Sequence, residues 1–546
     1  MKSFLTRTLP RLLSLIFVMV ALGTLLLRYF EGQKITPLPP SKVSGGVSGD
    51  VAKVNAAFQQ SWNSAGLLPT AKADHYTLAR RLSLALTGAP PSLEEIRRLE
   101  MLAPEADPVQ AWLDHLFADR RYADYVAERF ARAFVGVETG PFLVYRRRRL
   151  VNWLGDELAM NRHYDELVRS LIAAEGLWTS RPETNFITVS VVQGGKNEGP
   201  DEMKLAARTS RAFLGFSLDC VQCHDDKFGD RWKQKDFHQL AAYFAQADMT
   251  ITGVREKRSK EYETRYLGKT EATEVLPHVP FSPELIPDKG SRRERLARWV
   301  TDPHNVAFAR ATVNRTWAIL FGRPLVDPVD DIPLDGPFPA GMEELARGFI
   351  ESHYDLQHLI RVIAGSDPFR VDSRAENPDK PVTAAQEVAW AAFPVTPLRP
   401  EQVAGSIIQA SVLHALDSNT HVIQKMRRFG ETRDFVKRYG DPGEDEFDEK
   451  SGTIPQRLLL MNGKLVEERT KPDPIINSST RLANYAPSDS ATLDAAFLAI
   501  LTRYPLPEER THFTALLAGE KNNARERAVA DLYWTLINST EFSWNR

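Results

Sequence analysis

The chain has 546 residues, 43% hydrophobic and 26% charged, with Lys+Arg 69 against Asp+Glu 71 for a formal net charge of −2. That composition excludes wholesale disorder, a collagen-like fibre and a many-span membrane protein, and the near balance of charge supplies no overall basic field for nucleic acid. Only two cysteines occur, which excludes a disulfide framework.

At the amino terminus Lys2, Arg7 and Arg11 precede a charge-free run at 12–27, which Arg28, Tyr29 and Phe30 close. Basic residues ahead of an apolar run outline an export signal. Ala21-Leu22-Gly23 offers a cleavage site, but the apolar run continues past it to the roughly 19 residues that crossing a bilayer needs. Residues 1–30 therefore predict an uncleaved signal anchor. It is a single transmembrane helix in a bacterial inner membrane, with the bulk of the chain periplasmic and the membrane itself a partner. Residues 31–50 combine Pro, Gly and Ser with few large apolar groups and predict a flexible tether.

From there the patterning is dominantly helical and predicts a mainly α fold of two helical domains with little strand. The first domain spans 51–250, a connecting segment 251–290, and the second domain 291–546. Leu93, Ile96 and Leu99 repeat at helical spacing behind a Ser92-x-x-Glu95 capping box, with Pro90-Pro91 blocking an earlier start. Amphipathic stretches follow at 108–134, 149–175, 292–321, 342–366, 400–416 and 492–546. Asp236 is placed to cap a helix carrying Phe237, Leu240, Ala241 and Phe244. The best strand signal is 184–192, β-branched and flanked by turn formers, which predicts a local ribbon.

Three charged clusters invite more than their simplest reading. Arg146 to Arg149 can meet phosphate or a lipid headgroup, but beside Leu150 and Trp153 the run reads as a helix shoulder with its stems packed down. Asp327, Asp330, Asp331 and Asp335 suggest a metal, yet Pro328, Pro333 and Gly336 among them mark a turn-rich loop. The acidic loop at 439–455 lacks the ligand spacing and turn glycine of a calcium loop.

The chemistry concentrates in Cys220-Val221-Gln222-Cys223-His224. Two thiols three residues apart, with an imidazole directly after the second, suit two thioether bonds to the vinyl groups of a haem while His224 ligates the iron. Thiols outside the cytoplasm are oxidised unless bonded, ligated or redox-active. The expected cofactor is therefore haem c held by Cys220, Cys223 and His224, in a protein of electron transfer or redox chemistry with a redox partner. Met203, His238 and Met249 are the nearest candidates for a distal iron ligand, and a five-coordinate iron is equally compatible. Two alternatives stay open: a Cys220–Cys223 disulfide in a cofactor-free scaffold or polysaccharide-associated binding protein, and a zinc or iron centre that adds Asp225 or Asp226. A Gly-x-Ser-x-Gly elbow and a His-Glu-x-x-His helix are both absent from the sequence, so no enzymatic reaction is assigned.

The flanking residues carry a resemblance. Arg80-Arg81-Leu82 with Thr87-Gly88-Ala89-Pro90-Pro91, His163-Tyr164-Asp165, Ala173-Ala174-Glu175-Gly176, and Phe213-Leu214-Gly215 leading to the cysteines form one set. Asn314-Arg315-Thr316-Trp317, Pro328-Val329-Asp330-Asp331, Met461-Asn462-Gly463 and the ending Glu541-Phe542 form another. Together they resemble the exported proteins, abundant in planctomycetes, in which two domains of unknown function (numbers fifteen forty-nine and fifteen fifty-three) occur together. The resemblance covers nearly all of 51–546. It implies export, association with cytochrome-c-like modules and an exported hydrolase-like companion protein. This chain departs from the family at His224-Asp225-Asp226-Lys227, where relatives have His-Asp-His-Pro, and after Asp331, where relatives have Pro-Ser-His-Pro. Both departures remove a histidine and with it support for a hydrolytic metal site. A membrane anchor, in place of a cytochrome module, precedes the first domain.

Overall fold

The computed structural model describes residues 36–39 and 45–546, apart from 138–139, 142, 193–198, 227–230, 267–268, 378, 417–421, 441–442, 444–446, 448–452 and 474–476. The predicted anchor at 1–30 and much of the tether lie outside the described residues. No helix among the described residues is long and apolar enough to cross a membrane.

Helix begins inside the segment expected to be a tether, at Gly45–Ser64. Val47, Val54, Phe58 and Trp62 lie on one face of it and are buried. The Phe58 ring stacks on Trp317 at 5.7 Å, and Trp62 Nε1 donates to the Ala389 carbonyl at 2.7 Å. Long-range packing of that face overrides the helix-poor Gly and Ser composition, and this corrects the tether's end.

Ser92 and Glu95 form the expected capping box, each accepting a hydrogen bond from the other's backbone N–H, at 3.2 and 2.8 Å. Ile96 and Leu99 are buried beneath it. Glu95 is buried too, which alone would raise its pKa; the Arg121 guanidinium at 2.5 Å and His115 at 3.0 Å outweigh burial and hold the carboxyl well below the usual range. Several long amphipathic stretches prove to be helix pairs interrupted by a cap. Asp107 caps Pro108–Phe117 and Asp119 caps Arg120–Val135. Ser291 and Glu294 box the start of Arg292–Val300, before Val306–Phe321. Both members of each pair face the same core, so the apolar period runs on across the break.

Two local expectations are corrected. Residues 184–192 make no ribbon: a 3₁₀ turn at Pro182–Thr184 runs into a short helix, Asn185–Thr188, and only Val192 forms a bridge, to Gly199. Phe186, Ile187 and Thr188 are fully buried there, and Asn185 ties the turn together through the carbonyls of Trp178 and Pro182. Burial on every side overrides the β-propensity of the branched residues. The second correction concerns Asp236, which sits inside the helix Gln234–Ala241, not at its cap. Its carboxylate accepts from the Lys233 N–H at 2.9 Å, and Asp225 Oδ1 accepts from the first helical N–H, that of Gln234, at 2.8 Å.

Strand is scarce, as expected of a mainly α fold. Among the described residues it forms three antiparallel pairs: Ala247–Thr250 with Gly253–Glu256, Glu263–Thr264 with Thr273–Glu274, and Thr396–Pro397 with Trp544–Asn545. One hydrophobic core gathers residues from Leu38 through Phe393 together with Phe447, and a second gathers Leu398 through Phe542, with Leu84 reaching into it. The helix Val306–Phe321 is buried along nearly its whole length in the first core, where Trp317 stacks on Phe321 at 4.2 Å. Its burial brings residues after 290 against the segment that carries the cysteines.

Candidate functional site

The segment leading to the cysteines starts at Asp201, whose carboxylate accepts from the N–H groups of Met203 and Lys204 and caps the helix Glu202–Thr209. That helix widens into a π-helical turn, Ser210–Leu214, a form that concentrates at functional sites. Gly215 stops it at φ 72°, a left-handed conformation that side chains resist. A Cβ at Gly215 would lie 2.8 Å from Ile332 Cδ1 and 3.0 Å from Ala311 Cβ, and its carbonyl accepts from the Ile332 N–H at 2.7 Å. This glycine is where the cysteine-bearing segment and the loop containing Asp330 meet. Gly215→Ala combines backbone strain with that close contact, and equilibrium unfolding in denaturant is expected to show a loss of about 1–3 kcal/mol; an unchanged midpoint would mean that the seam yields freely.

Past Gly215 the chain is pinned by Phe216, stacked on Trp232 at 4.9 Å, and by buried Leu218. Cys220–Gln222 is a 3₁₀ turn in which only Val221 is buried. Cys220 and Cys223 are therefore held at the surface, exposed and free, by the apolar residue between them. His224 is half-buried and its Nδ1 lies 2.8 Å from the Asp225 carbonyl. A carbonyl oxygen only accepts, so Nδ1 carries the proton and Nε2 keeps its lone pair for a ligand.

The three distal-ligand candidates are placed differently. Met203 is beside the motif, where its sulfur accepts a hydrogen bond from Gln222 Nε2 at 3.3 Å. His238 is also beside it, against the Gln222 carbonyl, but it is buried and its Nδ1 pairs with the Tyr262 hydroxyl at 2.8 Å. Burial pushes its pKa down, and the carbonyl opposes that shift only partly. Met249 lies opposite Val254 in the hairpin and packs on the main core. Gln222, which sequence reasoning passes over, links the turn to its surroundings through Met203, His238 and Gln234, whose Nε2 donates to the same carbonyl at 3.1 Å. A CxxCH pattern gives no signal for its variable positions.

Two of the charged clusters resolve into structural roles where they are described. Arg147 makes a two-pronged pair with Glu128, both bonds at 2.9 Å, and Arg149 donates to the Thr179 carbonyl at 2.6 Å, as a helix shoulder should. Most of the acidic loop lies outside the described residues, but Gly443 accepts from Arg132 and Phe447 is buried. Among the described residues no three His, Cys, Asp or Glu side chains are placed to hold a metal ion together. A separate cavity of about 360 Å³ opens in the carboxy-terminal region among residues including Met461, Glu467, Lys471, Arg527 and Trp534, none of them from the cysteine motif.

Residues 53–249 match a family model described as protein of unknown function (DUF1549), and residues 292–517 one described as protein of unknown function (DUF1553). Comparison with curated proteins and with solved structures finds no match.

Proposed function

Since the chain belongs to the family in which these two domains are paired, we propose that it is a membrane-anchored periplasmic protein whose Cys220, Cys223 and His224 hold a covalent haem for electron transfer or redox chemistry. The observation that carries this reading is the state of the turn: two free, exposed thiols and an imidazole whose Nδ1 is fixed by a carbonyl, leaving Nε2 available. That donor set fits a c-type haem, which needs two reachable thiols and a neutral, oriented histidine. When bound, the haem supplies one-electron chemistry at its iron. The chain's own part is to orient His224 through Asp225 and to bury Val221 so that both thiols face outward. Met203 is the candidate best placed to approach the iron, since only the Gln222 amide engages its sulfur and the thioether is a weak acceptor. His238 is held by two protein partners and reads as structural. The basic, apolar amino-terminal run supports the anchor.

Full-length protein made in a host with a cytochrome c maturation system is expected to fractionate with membranes and to show haem absorption in the visible range. Release of a native chain beginning near Thr24 would overturn the anchor, and a colourless protein from such a host would overturn the haem. One observation favours a second reading. Trp534 is 38% exposed on the wall of the carboxy-terminal cavity beside polar and charged groups, and an aromatic face in that setting suits stacking on a sugar ring. A colourless protein with Cys220 linked to Cys223, and with Trp534 fluorescence that responds to polysaccharide, would put this binding role in place of the redox one.

A further inference from the structure

The carboxy-terminal cavity lies between the outward faces of two helices. The helix Asn522–Ile537 sends Val529, Leu532, Tyr533 and Leu536 into the second core. That leaves Arg527, Ala530, Asp531 and Trp534, spaced i, i+3, i+4 and i+7, on its opposite face, where they line the cavity. The helix Lys464–Thr470 buries Leu465 and Val466 and turns Glu467, Thr470 and the following Lys471 to the cavity in the same way. Thr470 and Ala530 are buried and small, so nothing large fills the space between the two faces. About 360 Å³ stays open, at the lower end of the roughly 300–1,000 Å³ typical of small-molecule sites.

The wall combines a fixed aromatic ring with charges of both signs. Trp534 Nε1 donates to the Met461 carbonyl at 3.1 Å, which satisfies the one polar atom of the indole and holds the ring in place while part of it stays exposed. A platform held before the ligand arrives loses little freedom on binding. Glu467 and Lys471, and likewise Arg527 and Asp531, stand at the i, i+4 spacing that favours an ion pair, as Lys464 and Glu468 form on the same helix at 3.8 Å. No ion pair joins any of those four cavity side chains to another described residue. Their donors and acceptors are therefore open to a ligand, and two acids against two bases leave no net charge.

We propose that this cavity binds a neutral pyranose unit of a polysaccharide, with Trp534 as the stacking platform and Asp531, Glu467, Arg527 and Lys471 as partners of the sugar hydroxyls. The C–H face of a pyranose is apolar and slightly positive, which suits the negative face of an indole. Each hydroxyl both donates and accepts, so carboxylates take from it while the ammonium and guanidinium give to it, in charge-assisted bonds. A uronic acid would bring a charge that the balanced wall does not neutralise, and this selects the neutral sugar. The proposal rests on the Trp534 reading above and narrows it to a ligand class. The cavity shares no residue with the cysteine motif, so haem or a disulfide at Cys220 and Cys223 leaves the sugar site intact.

The test is isothermal titration calorimetry of the full-length chain in detergent, with hexasaccharides of glucose, mannose, galactose and xylose as neutral probes and of galacturonic acid as the charged one. Saturable binding of a neutral probe, tighter than that of the galacturonate hexamer, is the expected result. For that probe Trp534→Ala should raise the dissociation constant about tenfold and Asp531→Ala about fivefold. Tyr485→Ala, at a more exposed aromatic outside the cavity, leaves it unchanged. Asp531 is exposed, so its variant still tests the site if loss of the indole unsettles the helix. Preference for galacturonate would overturn the neutral class and leave a sugar at Trp534. No binding of any probe, or an unchanged constant in both cavity variants, would overturn the site itself. Cys220→Ala plus Cys223→Ala is expected to bind with the wild-type constant, so the sugar site and the haem, which absorption judges, can fail separately.

Discussion

Replacing Cys220 and Cys223 together with alanine is expected, on the proposed haem reading, to abolish covalent haem attachment completely, with no large change in the fold. Both side chains are exposed and free, so neither supports the core, and Val221, which does pack inward, is untouched. Each thioether needs one thiol, and the double variant offers none. His224→Ala should behave differently. The thiols would remain to hold the proposed haem, but His224, the imidazole that the Asp225 carbonyl orients, would no longer be there to ligate it, and the visible spectrum is expected to change. Far-ultraviolet circular dichroism of both variants should match the wild type. Haem retained covalently in the double variant would place the attachment elsewhere, and a double variant that fails to fold would mean that the thiols have a structural role their exposure does not suggest.

The largest expected loss of stability is at Arg293. This residue lies in the first turn of the helix Arg292–Val300 and is fully buried against residues from before the connecting segment. Its Nε donates to Glu256 at 2.5 Å and one terminal nitrogen to the Ala174 carbonyl at 2.7 Å, with Ile172 at 3.3 Å. Arg293→Ala strands the Glu256 carboxylate in a cavity with two unbonded carbonyls. Breaking a buried pair from one side costs about 3–5 kcal/mol, because the remaining charge keeps its desolvation cost and loses its compensation. Denaturant unfolding should show the midpoint falling accordingly. Arg293→Ala combined with Glu256→Gln should recover part of the loss, since the stranded charge is then gone. A single variant within about 1 kcal/mol of the wild type would mean that water reaches Glu256 readily and that the pair does not fasten the two regions.

What could be read from the residues in advance was local. Ser92 and Glu95 announce a helix start because the two groups that satisfy each other are three residues apart, and the same logic holds at Ser291 and Glu294. The period of Leu93, Ile96 and Leu99 is equally local. At 184–192 the reading failed because branched side chains favour a pleated surface only where a sheet exists to receive them, and here the core surrounds the segment instead. The early start of the helix at Gly45 depends on Phe58 meeting Trp317, a partner that local pattern cannot announce. The candidate site divides in the same way. Cys220, Cys223 and His224 were legible because their spacing is the chemistry. Neither the pinning of His224 by Asp225 nor the use of Gln222 to hold Met203 and His238 was legible, since each depends on how the chain turns after the motif.

The most direct test of the haem assignment is the intact mass of the full-length polypeptide, purified from a host with cytochrome c maturation and denatured in acidified organic solvent. A thioether survives the loss of the fold, whereas a metal is freed for chelation once its ligands separate. The expected result is the polypeptide mass plus one haem, lost entirely in the Cys220→Ala plus Cys223→Ala variant. A mass equal to the polypeptide less two hydrogens, with neither thiol open to alkylation before reduction, would show Cys220 bonded to Cys223 and contradict the redox assignment.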